Sequence, residues 1–161
     1  MSTVDWVKNI VVLEMKPVTR ARIAMDSLGV VLWEEPDQNM INQIDVASTL
    51  ANRAPNTVQT VSIWEVNVHL IWSGEAAKKV TAELDPNTSL VVMAWKLFAW
   101  NSLGVLKSLK EVNPDLIPRV VCTTHGDDEY IQEENKHPIW ARSTRKWGEK
   151  LRIAIQEVFS K

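Results

Sequence analysis

Apolar positions along this chain switch repeatedly between two rhythms. Val7–Leu13 is a compact apolar run of strand character. Pro17 then suits a first helical turn, with Val18, Ala21, Met25 and Leu28 following at helical spacing. Gly29 is placed to end that helix, and Val30–Trp33 reads as a second buried strand. Asp37 is a candidate cap for a helix with Met40, Ile44, Ala47 and Ala51 on its inner face, broken by Pro55-Asn56.

From Thr57 to Trp72 the residues are largely β-branched, but their alternation changes phase near Glu65. Val61 and Ile63 occupy odd positions, whereas Val66, Val68, Leu70 and Trp72 occupy even ones. One register cannot bury both sets, so a bulge, a tight bend or two short strands is expected there. Ser73 can cap a short helix through Leu84, and Asp85-Pro86-Asn87 is a turn. Leu90–Trp95 reads as a central strand, and Leu103, Leu106, Leu109 and Val112 as a helix ended by Asn113-Pro114. Ile117–Thr123 reads as a fifth strand and Thr124–His137 as a polar loop. Pro138–Phe159 reads as a long C-terminal helix with Trp140, Thr144, Trp147, Leu151, Ile155 and Val158 on one face. Strands alternating with helices predict an α/β fold: a three-layer, doubly wound, mostly parallel sheet of about five strands, flavodoxin-like or Rossmann-like. No linker or repeat divides residues 1–161, which are read as one α/β domain.

Composition narrows the function classes. The chain has 161 residues, 45% of them apolar and 24% charged, as in ordinary globular domains. A formal net charge of -2 gives no overall attraction to nucleic acid or to an anionic membrane. The single cysteine, Cys122, rules out an internal disulfide framework and any zinc site needing several thiolates, and points to a reducing, cytoplasmic setting. The N-terminal stretch has neither signal- nor transit-peptide character, and no apolar run approaches the ~20 residues of a membrane span.

Familiar catalytic signatures are missing. The turn after the first strand, Glu14 to Arg20, contains no glycine, so its backbone cannot cradle a pyrophosphate; Lys16 and Arg20 remain as basic groups near a helix N-terminus. Tyr130 is the only tyrosine and has Glu134, not lysine, four residues on, which removes short-chain dehydrogenase chemistry. G-x-S-x-G is absent as well. No cofactor and no metal is expected.

One segment has reactive character: Cys122-Thr123-Thr124-His125-Gly126-Asp127-Asp128, beginning at the end of a predicted strand. The His-Gly within Arg119–Tyr130 resembles that of caspase-like peptidases. In that family the nucleophilic cysteine follows the histidine; none follows His125, so the resemblance implies an inactive relative. Leu90–Trp95, Leu103–Leu109 and Pro118–Gly126 together are loosely similar to the structural half of polyketide-synthase ketoreductases. Cys122 and His125 lie three apart, so on a continuing strand they face opposite sides. His125, Asp127 and Asp128 are the candidate catalytic residues of a hydrolase-type alternative.

The unusual number is tryptophan, at eight, against two phenylalanines and one tyrosine. That is more bulk than a core of this size needs from one residue type, and exposed tryptophan is enriched in binding hot spots. Trp33, Trp64, Trp72 and Trp100, with Arg142, Arg145 and Lys146, are the candidate interaction residues. The leading expectation is a non-catalytic interaction or structural subunit, bound to a protein partner or to itself. A nucleic-acid role for the basic face of the last helix is disfavoured, because its aromatic stripe is the face a sheet must bury.

Overall fold

The computed structural model describes residues 7–53, 57–94, 102–124, 142–145 and 148–159. Within them the elements follow the order β1 (Asn9–Leu13), α1 (Pro17–Leu32), α2 (Gln38–Ala51), β2 (Gln59–Ile63), β3 (Val66–Ile71), α3 (Gly74–Ala82), β4 (Ser89–Ala94), α4 (Ser102–Val112), a 3-10 segment (Pro114–Arg119), β5 (Val120–Thr124), β6 (Arg142–Arg145) and α5 (Glu149–Phe159). The chain has an α/β fold. The strands form a six-stranded sheet in the order β2-β3-β1-β4-β5-β6, with β2 antiparallel to β3 and every other neighbouring pair parallel.

Helices cover both faces. On one, α1, α2 and α5 pack through Ala24, Leu28, Ile44, Leu151 and Ile155 onto Ile10, Val12, Val68, Leu70 and Val92. On the other, α3 and α4 pack through Ala77, Leu106 and Leu109 onto Val11, Leu13, Val91, Met93 and Cys122. β1 and β4 bury both faces, which is why they read as continuous apolar runs rather than alternating ones. Both expected caps are in place: the Asp37 side chain accepts from the Met40 amide at 2.9 Å, and Ser73 Oγ accepts from the Ala76 amide at 3.2 Å.

The phase change near Glu65 is a hairpin. Ile63 pairs with Val66 across a turn made of Trp64 and Glu65, and Val61 pairs with Val68. The reversal brings odd positions of β2 and even positions of β3 to the same face, so both sets pack against one core.

Two expectations are corrected. Val30–Trp33 is not a strand; α1 runs unbroken through Gly29 to Leu32. Gly29 serves a close approach instead, because a Cβ there would stand 2.9 Å from Arg152 Nη1. Nor is Pro138–Phe159 one helix. Residues 142–145 form β6, paired parallel to β5, and the helix starts at Glu149, after Gly148 at φ 84. Of the expected stripe, Thr144 lies in β6, Leu151, Ile155 and Val158 keep the helical spacing within α5, and Trp140 and Trp147 lie outside the described residues.

Candidate functional site

Open doubly wound sheets bind ligands beyond the carboxyl ends of their strands, where neighbouring crossovers diverge. Here that point lies beyond β1 and β4. The turn after β1 is held from within. Arg20, fully buried, donates from Nε to Ser48 Oγ at 3.0 Å and from Nη1 to the Glu14 carbonyl at 2.7 Å. Its Nη2 donates to the Ser48 carbonyl and to Asn52 Oδ1. Ser48 Oγ donates onward to the Pro17 carbonyl at 2.7 Å, and Asn52 Nδ2 to the Met15 carbonyl at 3.1 Å. The end of α2 is thereby fastened to the β1–α1 turn. Burial pushes the Arg20 guanidinium down to about 10, against the opposing pull of buried Glu14. Arg20 remains charged at neutral pH but points inward. It is neither solvated, as a basic group in such a turn is expected to be, nor available to a phosphate, and only Lys16 of that pair is exposed.

On the sheet face not covered by α2, β1, β2 and β3 carry a polar row. Thr60 Oγ1 lies 3.0 Å from His69 Nδ1, His69 Nε2 lies 3.1 Å from Asn9 Oδ1, and Ser62 Oγ donates to Asn67 Oδ1 at 2.7 Å. Asn9 Oδ1 can only accept, so the neutral ring carries its proton on Nε2 and accepts from Thr60 at Nδ1. Burial pushes the His69 imidazole below its ordinary value.

The candidate residues separate. His125, Asp127 and Asp128 lie outside the described residues, as do Trp100 and Lys146. Arg142 and Arg145 belong to β6, not to the face of a terminal helix. Arg152, a basic residue of α5, is bound within the fold: it donates to Asp26 Oδ1 and to both carboxylate oxygens of Glu35. Trp72 is half-buried just past β3, its Nε1 enclosed and without a hydrogen-bond partner among the described residues.

Trp33 and Trp64 form a group of their own. They are 67% and 59% exposed. Trp33 follows α1 at φ 56 and Trp64 opens the β2–β3 turn at φ 47, both in the left-handed region. Glycine or asparagine is the usual occupant of a helix C-terminal left-handed position and of such a turn, because a Cβ crowds the backbone there. Both tryptophans lie at the amino edge of the parallel strands. α1 starts beside the end of β1 and runs back to that edge, and the hairpin turn precedes β3. Acidic side chains accompany them: Glu34 and Glu35 follow Trp33, and Glu65 follows Trp64, 3.7 Å from Lys8 Nζ.

Beyond the residues expected from the sequence, the structure adds the Arg20 clamp and an uncharged flank formed by α2 and β2. The flank has a sequence signal: from Gln38 to Ala51 and from Gln59 to Ile63 the only charged residue is Asp45. Among the described residues, no group of His, Cys, Asp and Glu is placed to hold a metal ion, and no helix is long and apolar enough to cross a membrane. No family model, no curated protein and no solved structure matches the chain.

Proposed function

We propose that the chain is a non-catalytic contact subunit that works by protein association, with Trp33 and Trp64 as its anchors. The observation that carries this reading is their placement. Each sits exposed at a backbone position where the fold itself favours glycine or asparagine, and both are at the same edge of the sheet. Folding stability does not account for tryptophan there, whereas a contact surface does, since desolvated tryptophan is a frequent binding hot spot. Strained backbone at an exposed position is a common mark of a functional site.

The scaffold reading is a flavodoxin-like sandwich occupying the whole chain. Counted among themselves, the parallel strands run 2-1-3-4-5, the order of that fold, and this supports the reading. The clamp at the β1–α1 turn favours contact over catalysis, because it commits Arg20, beside the end of β1, to holding the fold.

The test compares the native chain with a Trp33→Gly/Trp64→Gly double variant, in purified form and in an extract of cells expressing it. Light scattering and size-exclusion should place the wild type in an assembly and the variant as a monomer, with the variant's melting temperature equal or higher. A wild type that is monomeric in both settings would refute the reading.

A further inference from the structure

The contact reading leaves the partner open, and the β2 side of the molecule identifies one. Among the described residues β2 is the edge of the sheet, with β3 on one side only. Ile63 and Val66 flank a two-residue turn and exchange both of their backbone hydrogen bonds. Alternation then gives Val61 and Gln59 to β3 as well, and turns the N–H and C=O groups of Thr60 and Ser62 outward. Natural edge strands are usually protected by lysine, proline or a bulge. Gln-Thr-Val-Ser-Ile has none of these.

The helix above this edge matches it. α2 packs on β2 and β3, with α1 on its other side. Ser48 marks the flank turned to α1, because it binds Arg20 and Pro17. Two residues along a helix is a rotation of about 200°, so Val46 and Leu50 lie on the opposite flank, over the free edge. They are 61% and 37% exposed. Among the described residues, strand edge and helix flank therefore make one uncharged side with outward hydrogen-bonding groups below and an apolar stripe above.

We propose that a second copy of this chain occupies that side, β2 pairing antiparallel with β2 across a two-fold axis at Val61. Symmetry is the argument for a copy rather than a foreign strand. A two-fold axis brings each side chain near itself or its close neighbours, so any charge close to the axis meets its like. A side without charge is what such an interface requires, and Asp45 stands away from it on the α1 side of the helix. Centred on Val61, the register sets Thr60 opposite the partner's Ser62, and both have outward backbone groups, so four hydrogen bonds close. Val61 meets the partner's Val61 beneath the two α2 stripes. Trp64 falls opposite the partner's Val58, which gives the exposed indole at the end of β2 a surface to cover. The proposal rests on the contact reading for Trp64 and does not involve Trp33.

Sedimentation of the purified chain over a concentration series tests it, with Ser62→Pro and Val46→Lys as variants. Ser62→Pro removes an outward N–H and no backbone bond to β3, at the loss of the exposed Ser62–Asn67 side-chain bond; Val46→Lys changes an exposed residue and places like charges about the axis. The wild type should be a dimer in reversible equilibrium, and each variant should raise its dissociation constant at least about tenfold. Amide exchange at Thr60 and Ser62 should slow as the dimer fills. A monomeric wild type, or a dimer indifferent to both variants, overturns the proposal. If the purified chain is monomeric yet still joins an assembly in extract through Trp33 and Trp64, only the β2 pairing falls. If it is monomeric in both settings, the contact reading falls with it.

Discussion

Replacing Trp64-Glu65 by Asn-Gly should make the protein more stable. The turn has φ 47 at Trp64 and φ 71 at Glu65, the left-handed pair that a two-residue hairpin needs. Each such position costs a residue with a Cβ about 1–2 kcal/mol, a cost that asparagine reduces and glycine removes. Against this stand two losses. Glycine widens the unfolded ensemble by roughly 0.4–1 kcal/mol. The Lys8–Glu65 pair, at 3.7 Å and mostly in water, is worth roughly 0.3 kcal/mol. Trp64 is 59% exposed, so its removal takes little packing from the core. The net expectation is a gain of about 1 kcal/mol, or about 2–4 °C in melting temperature for a chain of this length. Urea unfolding followed by far-ultraviolet circular dichroism would measure it, at concentrations low enough that association adds nothing. An unchanged or lower midpoint would refute the claim that tryptophan there is a burden on the fold. The same variant should associate more weakly, so stability and contact should move in opposite directions.

Three further outcomes follow from other parts of the fold. Arg20→Lys should lower unfolding free energy by about 2–4 kcal/mol, because an ammonium cannot reproduce the planar set of bonds to Ser48, Glu14 and Asn52; a loss under about 1 kcal/mol in urea titration would show that the clamp is dispensable. Gly29→Ala should gain about 1 kcal/mol of helix stability in an Arg152→Ala background and clearly less in the wild type, where the new Cβ meets Arg152 Nη1 at 2.9 Å. Simple additivity in that double-mutant cycle would disprove the contact. His69 has its folded-state value lowered by burial, so between that value and its ordinary one the unfolded chain binds more protons. The His69 contribution is therefore complete above the ordinary histidine range and is lost as pH falls through it; a urea midpoint that does not drop more in wild type than in His69→Gln on going from about pH 7.5 to about pH 5.5 would contradict this.

Local physics makes several elements legible in the sequence itself. Pro17, Asp37 and Ser73 start helices because a fixed φ or a side-chain acceptor acts within one turn of the backbone. The inner face of α2 is readable because one helix side meets the core at a fixed period. The phase change near Glu65 is legible as a break but not as a type of break: choosing a hairpin over a bulge depends on which partner strand is beside it. Gly29 misleads for a related reason. Glycine ends helices often, but here it clears space for an arginine from a helix more than a hundred residues later.

The candidate site divides the same way. That tryptophan is in excess, and that charge is nearly absent from α2 and β2, is fixed by residue counts and order alone. Which tryptophans are exposed, and that Trp33 and Trp64 hold left-handed backbone at one edge, follows only from where α1 ends and how β2 turns into β3. Arg20 shows the contrast most clearly. In the sequence it is a basic residue in the first turn of a helix, read as solvated and at most a ligand for a phosphate. In the structure the end of α2 folds back over it and supplies acceptors 28 and 32 residues away, so packing turns a potential ligand group into a clamp. Sequence determined the rhythm of the elements, because propensity, capping and periodicity act over a few residues. Tertiary structure decided which groups meet and which face water, because burial and hydrogen bonding join positions that the chain keeps far apart.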